Sequence, residues 1–425
     1  SHFLTKSKEL IYSTLIIIFS TILKIFSSFK ILIKPNQLQN KSKQLVLLTG
    51  SIIISPISWF FNLKQKQRLL IFTSLIFLIL FGLSIVYTNN RNKQLASSEY
   101  INSILTQIEQ KENLIDSSLI YKNDEGAINL AKEVKILISQ VSNEKEINPK
   151  LTLLKNNFAE QEKKIKKIIS VNPKVLANIG GLVASAEPQD LTKTENSLYS
   201  SDNKNHSIYK IDLGTKIITT LSSGLEALDG LKGGGIDENL IYYKTNDKIF
   251  ILNIKKDQGK SYLVKNLNTA DIIDVSPYLG RLFVLNKSGD VLRLNFSNET
   301  FSGQRNWLNE KIDTNNLAQF YIDGAIYFLY NNGNITKFSR GTKQAFSLSG
   351  LEPALNNAKT ITTSDNNIFI GSDNLKAIAV FDNKGVYQKM YQSDKFSNIT
   401  SLQIDEKNKL GYVLADKIIY SFELK

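Results

Sequence analysis

The stretch YFLYNNGNITKFS, residues 327–339, contains two short apolar runs on either side of a polar turn. Asn331, Asn332 and Gly333 tolerate the positive φ angles that tight turns require, so the segment predicts a β-hairpin. This hairpin is the unit from which the fold of the C-terminal part of the chain is derived.

The same pattern recurs six times between residue 198 and the end of the chain. In each copy an apolar residue or glycine precedes an aromatic residue, and a second short strand follows several residues later. The aromatic residues are spaced by 41 to 44 positions, and they are Tyr199, Tyr242, Phe283, Tyr327, Phe369 and Tyr412. This period predicts an all-β, six-bladed propeller. The alternative, a β-sandwich, does not explain the matched aromatic positions.

The sixth repeat lacks one strand. Propeller blades have four strands, but the chain ends at Lys425, directly after the third strand of this repeat. The segment Lys174–Ser185 precedes the first repeat and is expected to supply the missing strand, which would close the ring and remove two open sheet edges. The propeller is therefore predicted for residues 171–425, closed by an N-terminal strand.

The paired-strand motif of residues 327–339 resembles the repeats of the NHL, YncE and TolB group of bacterial propellers. The resemblance covers the predicted propeller. It implies the fold and carries little information about function.

The net charge is concentrated in one region. The chain has a formal charge of +13, and residues 1–93 contain twelve basic residues and a single acid, Glu9. This region therefore carries 11 of the 13 excess charges, although it is also rich in apolar residues. Such a distribution is typical of a membrane topology signal, so the lipid bilayer is predicted as a partner and nucleic acid is not.

The run LLIFTSLIFLILFGLSIVYT, residues 69–88, contains no charge. A helix of this length spans about 30 Å, the thickness of the hydrocarbon core of a bilayer. A buried core helix is the alternative, but it normally has a polar side that this run lacks. Since the basic residues precede the run, the positive-inside rule predicts a plasma-membrane protein with a cytoplasmic N-terminus and an extracytoplasmic propeller.

The basic segment 1–68 contains two weaker apolar stretches, 10–33 and 45–63. Lys24 and Lys30 interrupt the first, and a proline and a glycine interrupt the second. We expect interfacial or loosely inserted helices, with membrane spans or a hairpin as the alternatives. Three spans and one span give the C-terminal part the same orientation.

Residues 89–170 are predicted to form a helical neck. Apolar residues recur every three or four positions from Ile101 to Leu119, as in a coiled coil. Asn123 is expected to cap a second helix, and Pro149 to begin a third whose apolar stripe reaches Ile168. The helices can pack as a hairpin or small bundle, or associate with another copy of the chain.

The whole layout loosely resembles the C-terminal half of some bacterial proteins that carry an N-terminal PPM-type (PP2C-like) phosphatase domain. The paired metal-binding aspartates of that domain have no counterpart here, since residues 1–68 contain no Asp. The resemblance implies a catalytic domain upstream of Ser1, and the absence of an initial Met agrees with our expectation that the chain is a fragment.

Few residue patterns indicate catalysis. The chain has no Cys, and its only histidines are His2 and His206, which excludes disulfides, thiolate metal sites and His-rich zinc centres. The run Gly233-Gly234-Gly235 lacks the Lys-Ser/Thr of a phosphate-binding loop and is interpreted as a flexible loop. No catalytic residue, metal or cofactor is predicted.

Arginine and aromatic residues are concentrated in the third and fourth repeats. Lys outnumbers Arg throughout the chain, yet four arginines fall in these two repeats: Arg281, Arg293, Arg305 and Arg340. Arginine beside aromatic residues is typical of recognition surfaces, and packing between blades is the alternative. The residues selected as candidate ligand-binding residues are Tyr278, Arg281, Arg305, Trp307 and Arg340.

The favoured function is recognition of a protein, glycan or other surface ligand by a membrane-anchored propeller. Binding is expected with or without transmission of a signal to the inside of the cell. The first alternative is the sensor half of a PPM-type phosphatase. The second is an extracytoplasmic propeller enzyme, such as a lactonase, hydrolase or quinone-dependent dehydrogenase. A histidine cluster is excluded for this last class, because the predicted propeller contains one His.

Overall fold

The computed structural model describes residues 64–142, 148–221, 228, 230–265 and 267–425. The predictions for 10–33 and 45–63 lie outside these residues. The helices are α1 (Gln65–Ile120), α2 (Asp124–Val141), α3 (Pro149–Ile165) and α4 (Ile179–Leu182), with a short 3-10 turn at Thr269–Asp271.

The helix α1 contains the predicted membrane span. Within the described residues, Leu69–Asn89 is the one segment long and apolar enough to cross a membrane, with a mean hydropathy of 2.8. Large apolar side chains of this segment are exposed, among them Phe77 and Phe81. Exposed apolar surface of this extent is expected where lipid covers a helix.

Residues Ile101–Lys425 form one compact unit that includes a three-helix bundle. The C-terminal part of α1 packs with α2 and α3 around an apolar core that contains Ile108, Val134 and Phe158. The side chains of Asn123 and Asn148 cap α2 and α3 by accepting backbone hydrogen bonds, as predicted for the first of them. A bundle is one of the arrangements that the apolar stripes allow.

The third helix ends earlier than its apolar stripe predicts. It stops at Ile165, and Lys167 has a φ of 51°, which is incompatible with a continuing right-handed helix. The expected helical residue Ile168 instead begins a strand, β1 (Ile168–Ser170), so the prediction was wrong at this point.

Six sheets follow, and each contains four strands of one blade. In chain order, blade 1 consists of β3 (Thr192–Lys193), β4 (Ser197–Asp202), β5 (Ser207–Asp212) and β6 (Ile218–Thr220); blade 2 of β7 (Lys232–Asp237), β8 (Leu240–Lys244), β9 (Ile249–Asn253) and β10 (Gln258–Tyr262); blade 3 of β11 (Ile272–Tyr278), β12 (Arg281–Asn286), β13 (Val291–Ser297) and β14 (Thr300–Asn306); blade 4 of β15 (Leu317–Ile322), β16 (Ile326–Tyr330), β17 (Ile335–Ser339) and β18 (Thr342–Gln344); blade 5 of β19 (Ala358–Thr363), β20 (Asn367–Ser372), β21 (Ala377–Asp382) and β22 (Tyr387–Gln392); and blade 6 of β23 (Ile399–Asp405), β24 (Leu410–Ala415), β25 (Ile418–Glu423) and β2 (Lys174–Asn178).

The predicted six-bladed propeller is confirmed. Each aromatic residue of the repeat lies in the second strand of its blade, and all six are buried in the cores between blades. These side chains are the repeated packing element that makes adjacent blades stack.

The predicted closing strand is also confirmed. The strand β2 pairs antiparallel with β25, so it completes blade 6 from the N-terminal side of the propeller. The strand occupies only the first part of the predicted segment, and α4 follows it directly.

The end of the neck adds a fifth strand to blade 5. Strand β1 pairs parallel with β22, and Ile168 lies opposite Met390. The Tyr387 hydroxyl donates a hydrogen bond to the Lys166 carbonyl at 2.6 Å. The bundle is thus attached to the outer edge of this blade by backbone pairing and by a side-chain contact.

Candidate functional site

Blade 3 holds most of the predicted ligand-binding residues. Tyr278 ends β11 and pairs with Arg281 at the start of β12. Arg305 lies in β14, and Trp307 follows that strand directly. The fifth residue, Arg340, lies in blade 4 at the turn between β17 and β18.

A further arginine joins this group. Arg293 of β13 pairs with Phe283 on one side and with Arg305 on the other. Residues directly opposite each other on antiparallel strands share one face of the sheet. Side chains alternate between the two faces along a strand, so Arg281, two positions before Phe283, lies on the same face. The sequence places Arg293 among the clustered arginines, but it was not selected as a site residue.

The arginines converge on one aromatic ring. The guanidinium carbon of Arg293 lies 5.0 Å from the centroid of the Trp307 ring, and that of Arg305 lies 5.4 Å from it. Phe283 meets the same ring edge-on, with 5.9 Å between the centroids. We call Arg281, Arg293, Arg305 and Trp307 the arginine–tryptophan cluster.

The positive charges of this cluster are not neutralised by any residue that the structure describes. None of its three arginines forms an ion pair or a side-chain hydrogen bond with another described residue, and the Nε atom of Arg293 is buried without a partner. Burial, together with the charges of Arg305 and Arg281, lowers the pKa of Arg293. The cluster therefore combines desolvation and like-charge repulsion, both of which an anion would relieve.

The remaining predicted residues have other surroundings. Tyr278 and Trp307 pack against the apolar core between blades 3 and 4, which agrees with the packing alternative for the aromatic residues. Arg340 is an exposed turn residue with a φ of 51°, and it is not one of the arginines whose guanidinium groups lie over the Trp307 ring. The structure therefore unites three of the five selected residues in the cluster.

A second site lies in the central channel. The innermost strands of all six blades, and the residues just before β3, surround a polar cavity of about 270 Å³. Its charged and amide side chains are Gln189, Asp190, Lys193, Lys232, Asp274, Gln319, Lys359 and Gln403. Sequence reasoning selected none of them.

The glycine run lines this channel, so its interpretation as a flexible loop was wrong. Gly233, Gly234 and Gly235 belong to the innermost strand β7, and Gly234 is an extra residue in the pairing of β7 with β8. A Cβ atom on Gly234 would lie 2.9 Å from Thr192 Oγ1 and 3.2 Å from Asp190 Cγ. The missing side chains therefore allow side chains of blade 1 to approach the strand closely.

Polar groups beside Gly234 have unused hydrogen-bonding capacity. The hydroxyls of Thr192 and Tyr243 are buried and have no hydrogen-bond partner among the described residues. Asp190 accepts hydrogen bonds from the backbone N–H (2.8 Å) and the hydroxyl of Ser201. Burial outweighs these bonds and raises the pKa of Asp190 to about 7, with a smaller contribution from Asp274.

The Asp274 carboxylate lies on the other side of the glycine run. Burial raises its pKa, although Lys232 and Lys244 act in the opposite direction. Burial also lowers the pKa of Lys244, with a contribution from Lys232. The two carboxyl groups of the channel wall are therefore electrostatically linked to each other, and Asp274 is also linked to the charges of Lys232 and Lys244.

This arrangement favours hydrogen bonding to a polar ligand. The carboxyl groups accept or donate according to their protonation, and burial keeps the Tyr243 hydroxyl protonated by raising its pKa. The described residues contain no group of three or more His, Asp or Glu side chains that could hold a metal ion.

The chain has distant similarity to several solved structures. No protein-family model matches the sequence, and no curated protein does. The similar solved structures include a streptogramin B lyase (TM-score 0.44, 13% identity, covering 60% of this chain and 98% of that chain). They also include a gluconolactonase of Xanthomonas campestris (0.47, 11%, 60% and 90%) and the calcium-binding protein regucalcin of Agrobacterium tumefaciens (0.44, 10%, 61% and 97%). Identities this low and TM-scores below 0.5 carry no information about the function of this chain.

Proposed function

We propose that the chain is a membrane-anchored recognition protein that binds a polar ligand in the propeller channel. The observation that carries this proposal is the group of unpartnered hydroxyls, Thr192 and Tyr243, next to Asp190. Buried polar groups in proteins almost always have hydrogen-bond partners, so a cluster without them supports a role in binding.

The size and lining of the channel favour a small polyhydroxyl group. A cavity of about 270 Å³ is at the small end of ligand sites, so it fits a sugar unit or one end of a larger ligand. Sugar hydroxyls both donate and accept, which matches carboxyl, amine and hydroxyl groups in one wall. A surface glycan is therefore the ligand that we favour among glycans, proteins and other molecules.

The test uses two substitutions that remove hydroxyls without a protein partner. Tyr243→Phe and Thr192→Val in the full chain should leave the melting temperature unchanged or slightly higher, since no protein hydrogen bond is lost. Binding of the detergent-solubilised chain to a glycan array should fall about tenfold for either variant.

The control is Tyr209→Phe, because the Tyr209 hydroxyl donates to buried Asp202 at 2.9 Å. This variant should be about 1 kcal/mol less stable and should bind as the unchanged protein does. Undiminished binding by both Tyr243→Phe and Thr192→Val would contradict a ligand site in the channel.

Membrane anchoring with an outward propeller is part of the proposal. It rests on the apolar segment Leu69–Asn89 and on the basic residues that precede it in the sequence. Protease added to intact cells should digest the propeller and release fragments of residues 171–425. A propeller that resists digestion in intact cells, but not in lysed cells, would reverse the orientation.

Hydrolysis or elimination in the channel is a second candidate function, favoured by one observation. A pKa of about 7 allows Asp190 to act as a general acid or base near neutral pH, and Asp274 lies across the glycine run. Asp190→Asn would then abolish turnover of a bound glycan while binding persists. If the bound glycan is recovered unchanged from the unmodified protein, recognition is the better description.

A further inference from the structure

We propose that the arginine–tryptophan cluster on blade 3 binds the oxyanion of a phosphate or sulfate group. This site is separate from the channel and does not depend on the function proposed there. Its members are Arg281, Arg293, Arg305 and Trp307.

The charge of the cluster is uncompensated in the part of the chain that the structure describes. Three guanidinium groups are close enough for Arg281 and Arg305 to lower the pKa of Arg293, yet no described carboxylate pairs with any of them. Asp237 accepts a hydrogen bond from the N–H of Gly280, the residue before Arg281, at 2.6 Å, and it forms no ion pair with the three arginines. Like charges held together without a counter-ion are unfavourable for folding, and a bound anion removes that repulsion.

The Trp307 ring leaves the N–H donors of the arginines unused. Two guanidinium groups lie over this ring, which attracts their charge but has no oxygen or nitrogen atom that could accept hydrogen bonds from them. The buried Nε of Arg293 is one such unused donor. Forked N–H donors match the spacing of oxygens in phosphate and sulfate.

The cluster is preorganised by the residues around Trp307. Trp307 is fixed by edge-on contact with Phe283 and by the core between blades 3 and 4. Its backbone N–H donates to the Val291 carbonyl at 2.8 Å, which extends the pairing of β13 with β14 beyond the strand end. The arginines are therefore held against a rigid surface before a ligand arrives, which lowers the entropic cost of binding.

The fluorescence of Trp307 provides the test. The chain has two tryptophans, so Trp59→Phe in the full chain leaves Trp307 as the only one. Titration of the detergent-solubilised protein with inorganic phosphate or sulfate should change this fluorescence saturably. Chloride at the same ionic strength should have no such effect.

Variants identify the donors. Arg293→Lys keeps the charge but removes the forked donor, and Arg305→Gln removes the charge. Each should weaken phosphate or sulfate binding about tenfold or more. Arg281→Gln alters an exposed side chain and therefore should not disturb folding. It replaces the other two variants in the binding test if circular dichroism shows that they do not fold.

Lys337→Gln is the matched control, since this ammonium lies over the Tyr327 ring of blade 4 at 5.0 Å. It should bind phosphate and sulfate as the unchanged protein does. The proposal is overturned if chloride reproduces the fluorescence change, if neither oxyanion saturates it, or if Lys337→Gln weakens binding as much as the arginine variants do.

A second arm distinguishes the sources of the oxyanion. The full chain is reconstituted into phosphatidylcholine vesicles with and without phosphatidylglycerol. A Trp307 signal that requires phosphatidylglycerol, and that Arg305→Gln abolishes, assigns the group to a lipid headgroup. A signal that requires added phosphate or sulfate assigns it to a soluble or glycan-borne group.

Discussion

Val175 pairs with Tyr420 in the antiparallel ladder of blade 6, so the strand that follows the neck and the last strand of the chain share one sheet. The two segments lie at opposite ends of the propeller sequence. Their pairing closes the ring, and without it blade 6 would have only three strands, with β25 at its open outer edge. The stability of the propeller should therefore be sensitive to substitutions in the short strand β2.

Ala177→Asp tests this dependence. Ala177 is 5% exposed and packs in the core that joins blades 1 and 6, so an aspartate there would bury an unpaired carboxylate. We expect a loss of about 3 kcal/mol in the free energy of unfolding, measured by thermal or urea denaturation of the full chain. Val175→Asp lies on the same strand at a 51% exposed position and should cost about 0.5 kcal/mol. If Ala177→Asp costs as little stability as Val175→Asp does, β2 is not essential for closing the ring.

The propeller fold could be predicted because the same hairpin pattern is repeated along the sequence. Each blade places a buried aromatic residue in its second strand, so one hairpin pattern is present six times, and the closing strand follows from the count of strands. The neck was predicted less completely, because β1 is defined by its pairing with β22 and not by its own residues.

The channel could not be predicted for a physical reason. The innermost strands carry no repeated motif, and β3 is only two residues long. Asp190, Gly234 and Asp274 belong to three different blades, and only the closed ring brings them together. Glycines have no side-chain pattern, so a strand made of them resembles a loop in the sequence. The blade 3 arginines were found because the composition itself is unusual there.

Gly234→Ala should show how closely the channel wall is packed. Its φ of 131° is rarely adopted by residues with a side chain, and a Cβ would press on Thr192 and Asp190. We expect a cost of about 2 to 3 kcal/mol in unfolding experiments. Gly280→Ala separates the cost of the φ angle from the cost of the close contacts. Gly280 also has a positive φ, of 72°, but a new Cβ there would have no atom within 4 Å. It should cost about 1 kcal/mol, and an equal cost at both positions would contradict close packing.

Tyr387→Phe tests the attachment of the neck. The lost hydrogen bond to the Lys166 carbonyl should reduce stability by about 1 kcal/mol. The effect should be local, so the amide of Met390, which donates to the Lys167 carbonyl at 3.1 Å, should exchange with deuterium faster. Tyr121→Phe removes an exposed hydroxyl as a control and should leave that exchange rate unchanged. An unchanged Met390 rate in Tyr387→Phe would show that the side-chain contact does not hold β1 in place.

The core of the three-helix bundle contains a carboxyl group, and this gives the neck a dependence on pH. Glu112 is 5% exposed, and its Oε1 has no partner among the described residues. Burial raises the pKa of Glu112 to about 7, and the nearby charges of Asp116 and Glu109 act in the same direction. Because the pKa in the folded state is above the unfolded value of 4.5, the stabilising contribution is complete below that value and is lost as the pH rises through 7.

Glu112→Gln should remove this dependence. The glutamine carries no charge, and the bond from Gln161 Nε2 to the Glu112 backbone carbonyl (2.9 Å) is retained. We expect similar stability of the two proteins at pH 5 and an advantage of about 1 to 2 kcal/mol for the variant at pH 8. Hydrogen exchange of the Ile108 and Ile115 amides, corrected for intrinsic rates, measures the opening of the bundle. Glu160→Gln removes an exposed partner of Lys163 that does not act on Glu112, and it should change stability by less than about 1 kcal/mol at either pH. A Glu112→Gln bundle that keeps the original pH profile would show that the carboxyl group is not the titrating residue.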